Sequence, residues 1–134
     1  MSVHTGRCLC GGIEYRVDAE LPAVQFCHCA QCRRAQGSAF ASNVPVPASA
    51  FTLLAGADLL QAYESSPGKR RCFCRRCGSP VYSARDSRPD VLRLRVGLIN
   101  EPLADGAAFH FHTASKAEWF DICDELPQYP FEAP

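Results

Sequence analysis

The chain has 134 residues, and its 14 Lys and Arg balance 14 Asp and Glu, so the formal net charge is zero. This length predicts one domain spanning residues 1–134, and the lack of a basic excess argues against a nucleic-acid partner bound through its phosphates. The N-terminus lacks the apolar segment of a secretory signal, and no run of about 18 apolar residues predicts a membrane span. We therefore expect a cytoplasmic protein with no membrane partner.

The predicted elements are short strands separated by proline and glycine. The first covers 13–17, where Ile13, Tyr15 and Val17 alternate with charged residues, as in a half-buried strand. Further strands are predicted, in chain order, at 24–26, 40–44, 51–54, 59–63, 71–73, 81–82, 91–96 and 109–111. Pro45 and Pro47 separate the third strand from the fourth. This pattern predicts a mainly β fold of short antiparallel strands with cysteine-bearing turns and little helix.

Nine cysteines distinguish this sequence from an ordinary small β protein. An odd number without a signal peptide argues against a disulfide framework, because the cytosol keeps thiols reduced. Seven of them form three clusters, which are Cys8 and Cys10, then Cys27, Cys29 and Cys32, then Cys74 and Cys77. Packing alone gives cysteines no reason to cluster, so the spacing predicts metal binding.

The first and third clusters have the features of a closed metal site. Gly11-Gly12 follows Cys10, and Gly78 follows Cys77. Turns of this kind point backbone N–H groups at the thiolates and often require a positive φ, which glycine adopts without steric cost. Two such turns together predict a structural zinc held by four thiolates. Because zinc binding is coupled to folding, this site would contribute strongly to stability.

The middle cluster predicts an open site, since Cys27, Cys29 and Cys32 have no fourth cysteine at matching spacing. Three protein ligands and a free position are typical of catalytic zinc. His28 is a candidate fourth ligand, but its neighbours on both sides would already be ligands. A contact behind the ligands, or with the substrate, is therefore favoured for His28.

Charge indicates the chemistry of the open site. Zinc with three thiolates carries a net charge of −1, so it suits holding an incoming thiol as thiolate better than activating water. Arg33 and Arg34, next to this cluster, either bind the carboxylates of a peptide-like thiol or balance the charge of the site. The basic run from Lys69 to Arg76 is interpreted as charge compensation beside the four-cysteine site, with anion or nucleic-acid binding as the alternative.

The sequence resembles the family of glutathione-dependent formaldehyde-activating enzymes, which includes the centromere protein V domain. The matching segments are 6–15, 27–33, 37–40 and 73–80, with a weaker match at 110–116 and at Trp119-Phe120. The resemblance implies a small β-tent-like zinc fold with two zinc ions. Cys8, Cys10, Cys74 and Cys77 would bind the structural zinc, and Cys27, Cys29 and Cys32 the zinc that receives the substrate thiol. The family reaction joins formaldehyde to glutathione and is classed as a carbon–sulfur lyase in reverse.

The leading hypothesis is therefore a zinc enzyme that joins a small thiol to an aldehyde, or releases it, with His28 as a proton donor to the new hydroxyl. A non-catalytic zinc module that binds a protein or nucleic acid is the alternative. An iron electron carrier of rubredoxin type would leave the middle cluster unexplained. His110 and His112 share a strand face, and we expect one to be satisfied by hydrogen bonds and one to line the cleft, or neither to have a role. Cys72 is expected to be a buried thiol or a spare ligand.

Overall fold

The computed structural model describes residues 2–134, in which ten strands form two sheets. The strands in the first half are β1 (Val3–Arg7), β2 (Glu14–Asp18), β3 (Val24–Cys27), β4 (Ala41–Pro47) and β5 (Phe51–Ala55). Those in the second half are β6 (Leu60–Ser66), β7 (Lys69–Cys74), β8 (Pro80–Arg85), β9 (Arg88–Arg95) and β10 (Ala107–Phe111). Strand accounts for 45% of the chain and helix for 12%, which confirms the mainly β prediction.

The two sheets differ in size. The small sheet has the order β1-β2-β5, and the large sheet has the order β10-β3-β4-β9-β8-β7-β6. All neighbouring strands are antiparallel except β10 and β3, which run parallel and place Phe111 beside Cys27. Parallel strands need a long connection, and here most of the chain lies between the two. The prediction of antiparallel strands therefore holds for every pair but this one.

The main core joins residues of both sheets. Ile13, Tyr15 and Val17, from the predicted first strand and the residue before β2, are fully buried. They pack in one cluster with residues of the large sheet that include Val44 and Leu94. Alternation along β2 places Tyr15 and Val17 on the buried face and Glu14 and Arg16 outside, as the sequence predicts.

Two local features differ from the predictions. Pro45 and Pro47 do not end the third predicted strand, because β4 continues through them. At these two positions β4 pairs with β9 but no longer with β3. The missing N–H groups of the prolines therefore interrupt no hydrogen bonds between β4 and β3. The helix α1 (Ala30–Gln36) was also unpredicted. It begins after Cys29 and ends at Gly37, whose φ of 61° is the left-handed conformation typical of a helix end.

Helices in the described part of the chain are short, and none combines the length and apolarity needed to cross a membrane.

Candidate metal centres and the adjoining cavity

Four of the predicted ligands converge where β1 ends and where β7 turns towards β8. The sulfur atoms of Cys8, Cys10, Cys74 and Cys77 all lie within 4.8 Å of one another. The Cys8 and Cys10 sulfurs are 3.5 Å apart, and those of Cys10 and Cys74 are 3.8 Å apart. Tetrahedral zinc with Zn–S bonds of about 2.3 Å requires sulfurs about 3.8 Å apart. The donor set therefore fits zinc in both chemistry and spacing. We call it the closed group.

The turns that carry the closed group have the backbone that the glycines predict. Gly11 has φ of 78° and Gly78 has φ of 80°, both left-handed. The N–H of Gly78 donates to the carbonyl of Cys74 at 2.7 Å, which closes the second turn. The N–H of Ile13 donates to the Cys8 sulfur at 3.3 Å. Such bonds stabilise a thiolate, the form of sulfur that binds metal.

Polar neighbours lower the pKa values of two thiols in the closed group. The backbone N–H of Gly12, followed by the Arg76 guanidinium 3.3 Å away, lowers the pKa of Cys10. A hydrogen bond with the Ser79 hydroxyl, 3.3 Å from the sulfur, is the main cause that lowers the pKa of Cys77 to about 5. These groups therefore favour thiolates at the closed group.

The remaining three predicted ligands form a second group, which we call the open group. Cys27 is the last residue of β3, Cys29 caps the N-terminus of α1, and Cys32 lies in the first turn of that helix. Their sulfurs lie within 4.8 Å of one another. The backbone N–H of Cys32 donates to the Cys29 sulfur at 3.3 Å. The end of β3 and the start of α1 thus fix the directions of the three cysteine side chains. This donor set also fits zinc.

Two buried arginines lie beside the open group. Arg71 of β7 and Arg95 of β9 are 9% and 4% exposed. Both terminal nitrogens of Arg71 lie 3.7 Å from the Cys32 sulfur. Hydrogen bonds from Cys27 and Cys29, and then the charges of both arginines, hold the pKa of Cys32 well below its usual range.

Arg95 donates to the amide oxygen of Asn43 at 2.6 Å, and burial lowers its pKa to about 10. Both guanidiniums are therefore placed to compensate thiolate charge.

The basic run predicted beside the four-cysteine site is divided between the two centres. Arg76 does bond to the closed group, but Lys69 and Arg71 face the open group. Arg70, between them, points to the surface and pairs with Asp86. Side chains alternate along β7, so the run could not stay on one side. Charge compensation is correct for Arg76, whereas the assignment of the whole run to one site is wrong.

The open group lies in a narrow cavity of about 30 Å³ whose charged lining residues are all cations. These are Lys69, Arg85, Arg93 and Arg95. His112 also lines it. Larger cavities of about 370 and 490 Å³ adjoin this one, and Arg85 lines all three. Arg93 extends into the first, and Lys69 with His112 into the second. One carboxylate, that of Glu132, also lines both larger cavities and lies 3.8 Å from Arg85. Because cations predominate, we call the three cavities together the cation-lined cleft.

His28 lies in a different environment. Its Nε2 is 2.7 Å from Nδ1 of His110, and Nε2 of His110 is 2.9 Å from a carboxylate oxygen of Asp124. This pair packs with Phe26, Phe40 and Phe120, which we call the aromatic cluster. His28 is fully buried there, and burial is the main cause that lowers its pKa to about 4.

Alternation along β3 explains the position of His28. Gln25 and Cys27 face the cleft, whereas Phe26 and His28 face the aromatic cluster. His28 is not among the residues that line the cleft. The structure therefore places His28 outside the cleft, with its Nδ1 buried and without a hydrogen-bond partner among residues 2–134, and its role as proton donor stays a prediction.

Arg33 and Arg34 of α1 also lie outside the lining of the cleft. The Arg33 guanidinium donates to the carbonyl of Ser115 at 3.2 Å, and Arg34 is exposed. The structure therefore does not bring either one to the open group, whereas Arg85 and Arg93 do line the cleft. A signal for Arg93 was present in the sequence, since it alternates with apolar residues in a strand and has no acidic neighbour.

The two cysteines outside the clusters join neither group. Cys72 is buried in β7, and burial is the main cause that raises its pKa. This agrees with the prediction of a buried thiol. Cys123 is exposed.

The fold and these two centres define a mainly β protein with one closed and one open group of thiolate ligands. The family described as glutathione-dependent formaldehyde-activating enzyme matches residues 3–115, and the chain belongs to this family. The resemblance noted from the cysteine clusters is thus confirmed.

Two individual proteins show further similarity. An uncharacterized lyase of Schizosaccharomyces pombe is 30% identical over 84 residues, which cover 63% of this chain and 59% of that protein. The chain therefore spans less than two thirds of the length of that relative. A crystal structure of a Rhodobacter sphaeroides protein superposes with a TM-score of 0.62 at 22% identity, covering 92% of this chain and 98% of the other. At this identity the likeness shows the fold alone.

Proposed function

We propose that this chain is a zinc-dependent enzyme of the carbon–sulfur lyase type. It would join a small thiol, glutathione by family membership, to an aldehyde such as formaldehyde, or catalyse the reverse reaction. One observation carries the proposal. The open group has three sulfurs beside the cation-lined cleft, and within residues 2–134 no fourth Cys, His, Asp or Glu completes it. A purely structural module needs only the closed group.

The proposal includes two zinc ions per chain. Cys8, Cys10, Cys74 and Cys77 would hold the structural ion, and Cys27, Cys29 and Cys32 the second. Zinc at the open group would supply a Lewis acid that keeps the substrate sulfur in its thiolate form. Arg71, buried against Cys32, and Arg95, buried in the lining of the narrow cavity, would compensate the negative charge of the thiolates.

The cleft supports a thiol that carries carboxylates. Arginine matches a carboxylate with two parallel N–H groups, and a lysine offers a point charge. Arg93 would bind a carboxylate in the 370 Å³ cavity, where Arg85 lies 3.8 Å from Glu132, and Lys69 would bind one in the 490 Å³ cavity. Glutathione has a carboxylate at each end and its sulfur in the middle. This arrangement suits a narrow cavity at the sulfur with two wider cavities that share lining residues with it.

Several further features belong to the same proposal. Residues 1–134 would form a single zinc-binding domain, which is supported by a main core built from both sheets. All nine cysteines are free of disulfides, which supports a reducing compartment such as the cytoplasm. The alternative of a nucleic-acid or protein-binding module is based on the basic run from Lys69 to Arg76 and on the centromere-protein branch of the family. Its weakness is the open group, which a binding module does not require, and within the run Arg71 is buried against Cys32.

A titration with two ligands tests the proposed function. Glutathione is expected to bind zinc-loaded protein and to release a proton, because the thiol becomes a thiolate. S-methylglutathione keeps both carboxylates but has no thiol, so it should bind much more weakly. Calorimetry in buffers of different ionisation enthalpy counts the proton, and product formation from formaldehyde is compared with the uncatalysed rate. Equal affinity for both ligands, without proton release or catalysis, would contradict the proposal.

A further inference from the structure

His112 has an unusual backbone. Its φ of 55° makes it the one residue other than glycine with a positive φ among residues 2–134. Hydrogen bonds hold it on both sides. Its N–H donates to the carbonyl of Phe131 at 2.8 Å, and its own carbonyl accepts from the N–H of Ser115 at 3.1 Å. A left-handed backbone is uncommon for a residue with a side chain, and such residues concentrate at functional sites.

His112 is also the imidazole that faces the cleft. It lines the narrow cavity together with the open group, and it lines the 490 Å³ cavity beside Cys29 and Lys69. His28 and His110 hydrogen-bond to each other within the aromatic cluster, and neither is among the residues that line the cleft. The sequence predicted that His110 and His112 share a strand face and left open which of them lines the cleft. The structure places His112 in the cleft and His110 in the aromatic cluster, because β10 ends at Phe111 and the backbone of His112 is left-handed.

The other groups around the narrow cavity are poorly suited to moving a proton. Arginine stays protonated in proteins, so Arg85 and Arg93 serve as fixed charges. Lys69 is the rival, since it lines the same two cavities and burial lowers its pKa. An imidazole both accepts and donates a proton near neutral pH, and it is the residue most often used for this task.

We propose that His112 transfers the proton of the reaction, an inference that rests on the proposed function. The imidazole accepts the proton when the S–H bond of the substrate breaks, and when no aldehyde is present, as in the titration above, it passes that proton to the solvent. The sulfur–carbon bond forms while the carbonyl π bond opens, and the imidazole returns the same proton to the oxygen. The proton thus moves from sulfur to oxygen, and no further reactant is needed. In the reverse direction the imidazole takes the hydroxyl proton and returns it to sulfur.

The test compares His112→Asn, His112→Gly and Lys69→Met in the zinc-loaded protein. Asparagine and glycine tolerate a left-handed backbone, so both His112 variants should keep the thermal unfolding midpoint and the calorimetric affinity for glutathione. Turnover should fall about 10²–10⁴-fold, the usual contribution of a positioned acid–base group. Added imidazole should restore part of the rate in His112→Gly. Lys69→Met should raise KM more than it lowers kcat.

Other results would overturn the role of His112. One is turnover of His112→Asn within threefold of the unmodified protein. Another is a His112→Gly variant whose rate does not rise with added imidazole, together with a Lys69→Met variant whose kcat falls. That combination would assign the proton transfer to Lys69. Failure of the proposed function looks different, because the unmodified protein itself would then neither bind glutathione through its thiol nor accelerate the reaction. That result would remove both proposals together.

Discussion

Replacing Arg71 by methionine removes the guanidinium that lies behind the open group. Both of its terminal nitrogens are 3.7 Å from the Cys32 sulfur, and the residue is only 9% exposed. Methionine fills much of the same space and adapts to irregular gaps, so the fold should persist. What the variant loses is the positive charge and two hydrogen bonds to sulfur. The Cys32 thiolate would then be buried with the guanidinium of Arg95 as a remaining positive charge near it.

The size of this effect can be bounded. Two unit charges about 4 Å apart interact by about 4 kcal/mol at the effective dielectric constant typical of partly buried pairs, which sets the upper limit. Hydrogen bonds to charged groups contribute about 1.5–3 kcal/mol. Removing a residue that supports metal ligands usually lowers metal affinity about 10–100-fold, or about 1.4–2.8 kcal/mol. We therefore expect the open group of Arg71→Met to bind zinc about 10–100 times more weakly, with the closed group unchanged.

Competition with a chelator, read as zinc released per chain, measures this difference. Arg70→Met is the matched control, because Arg70 precedes Arg71 in the same strand and pairs with Asp86 at the surface. Such an exposed pair contributes at most about 1 kcal/mol, so the control should release zinc like the unmodified protein. If both variants lose zinc at the same chelator concentration, the guanidinium of Arg71 does not support the open group and the reasoning fails.

Two further comparisons test the division of roles. Cys74→Ser should lose the zinc of the closed group and unfold in much less denaturant, because that zinc is coupled to folding, while Cys29→Ser should stay folded and lose thiol binding. Circular dichroism measures the unfolding. If both variants unfold at the same denaturant concentration, the assignment of one structural and one functional centre is wrong. Gly78→Ala should lower the free energy of unfolding by about 1–2 kcal/mol, because φ is 80° at this position. A steric clash is not the reason, since a Cβ added at Gly78 would have no other atom of residues 2–134 within 4 Å. Gly97→Ala, equally open but without a left-handed backbone, should lose less than half of that, and a similar loss in both would show that the left-handed turn is not the cause.

Local patterns made part of this structure predictable. Alternation of apolar and charged residues located β2 and β9, because a half-buried strand must place every second residue in the core. The spacing of the cysteines and the glycine after each pair predicted which clusters would converge. Left-handed Gly11 and Gly78 follow from the same local chemistry. These features depend on a few consecutive residues, and they can therefore be predicted from the sequence alone.

The cation-lined cleft was not predictable in the same way. Arg85, Arg93 and Lys69 come from three different strands, and their meeting depends on a strand order that no local pattern encodes. The parallel pairing of β10 with β3, which places His112 near the open group, joins segments separated by most of the chain. Predictions based on sequence proximity therefore selected Arg33 and His28, and both side chains are directed elsewhere.

The strand β7 connects the two centres and makes their roles unequal. Cys74 ends this strand and belongs to the closed group, while Arg71, three residues earlier, contacts Cys32 of the open group. A zinc ion at the closed group would fix the end of β7 and thereby the position of the guanidinium. The open group does not fix the closed group in the same way, since Cys27 ends β3 and Cys29 caps α1, and neither lies in the turns that carry the closed group. Loss of the closed centre should therefore disturb thiol binding, whereas loss of the open centre should leave the fold intact.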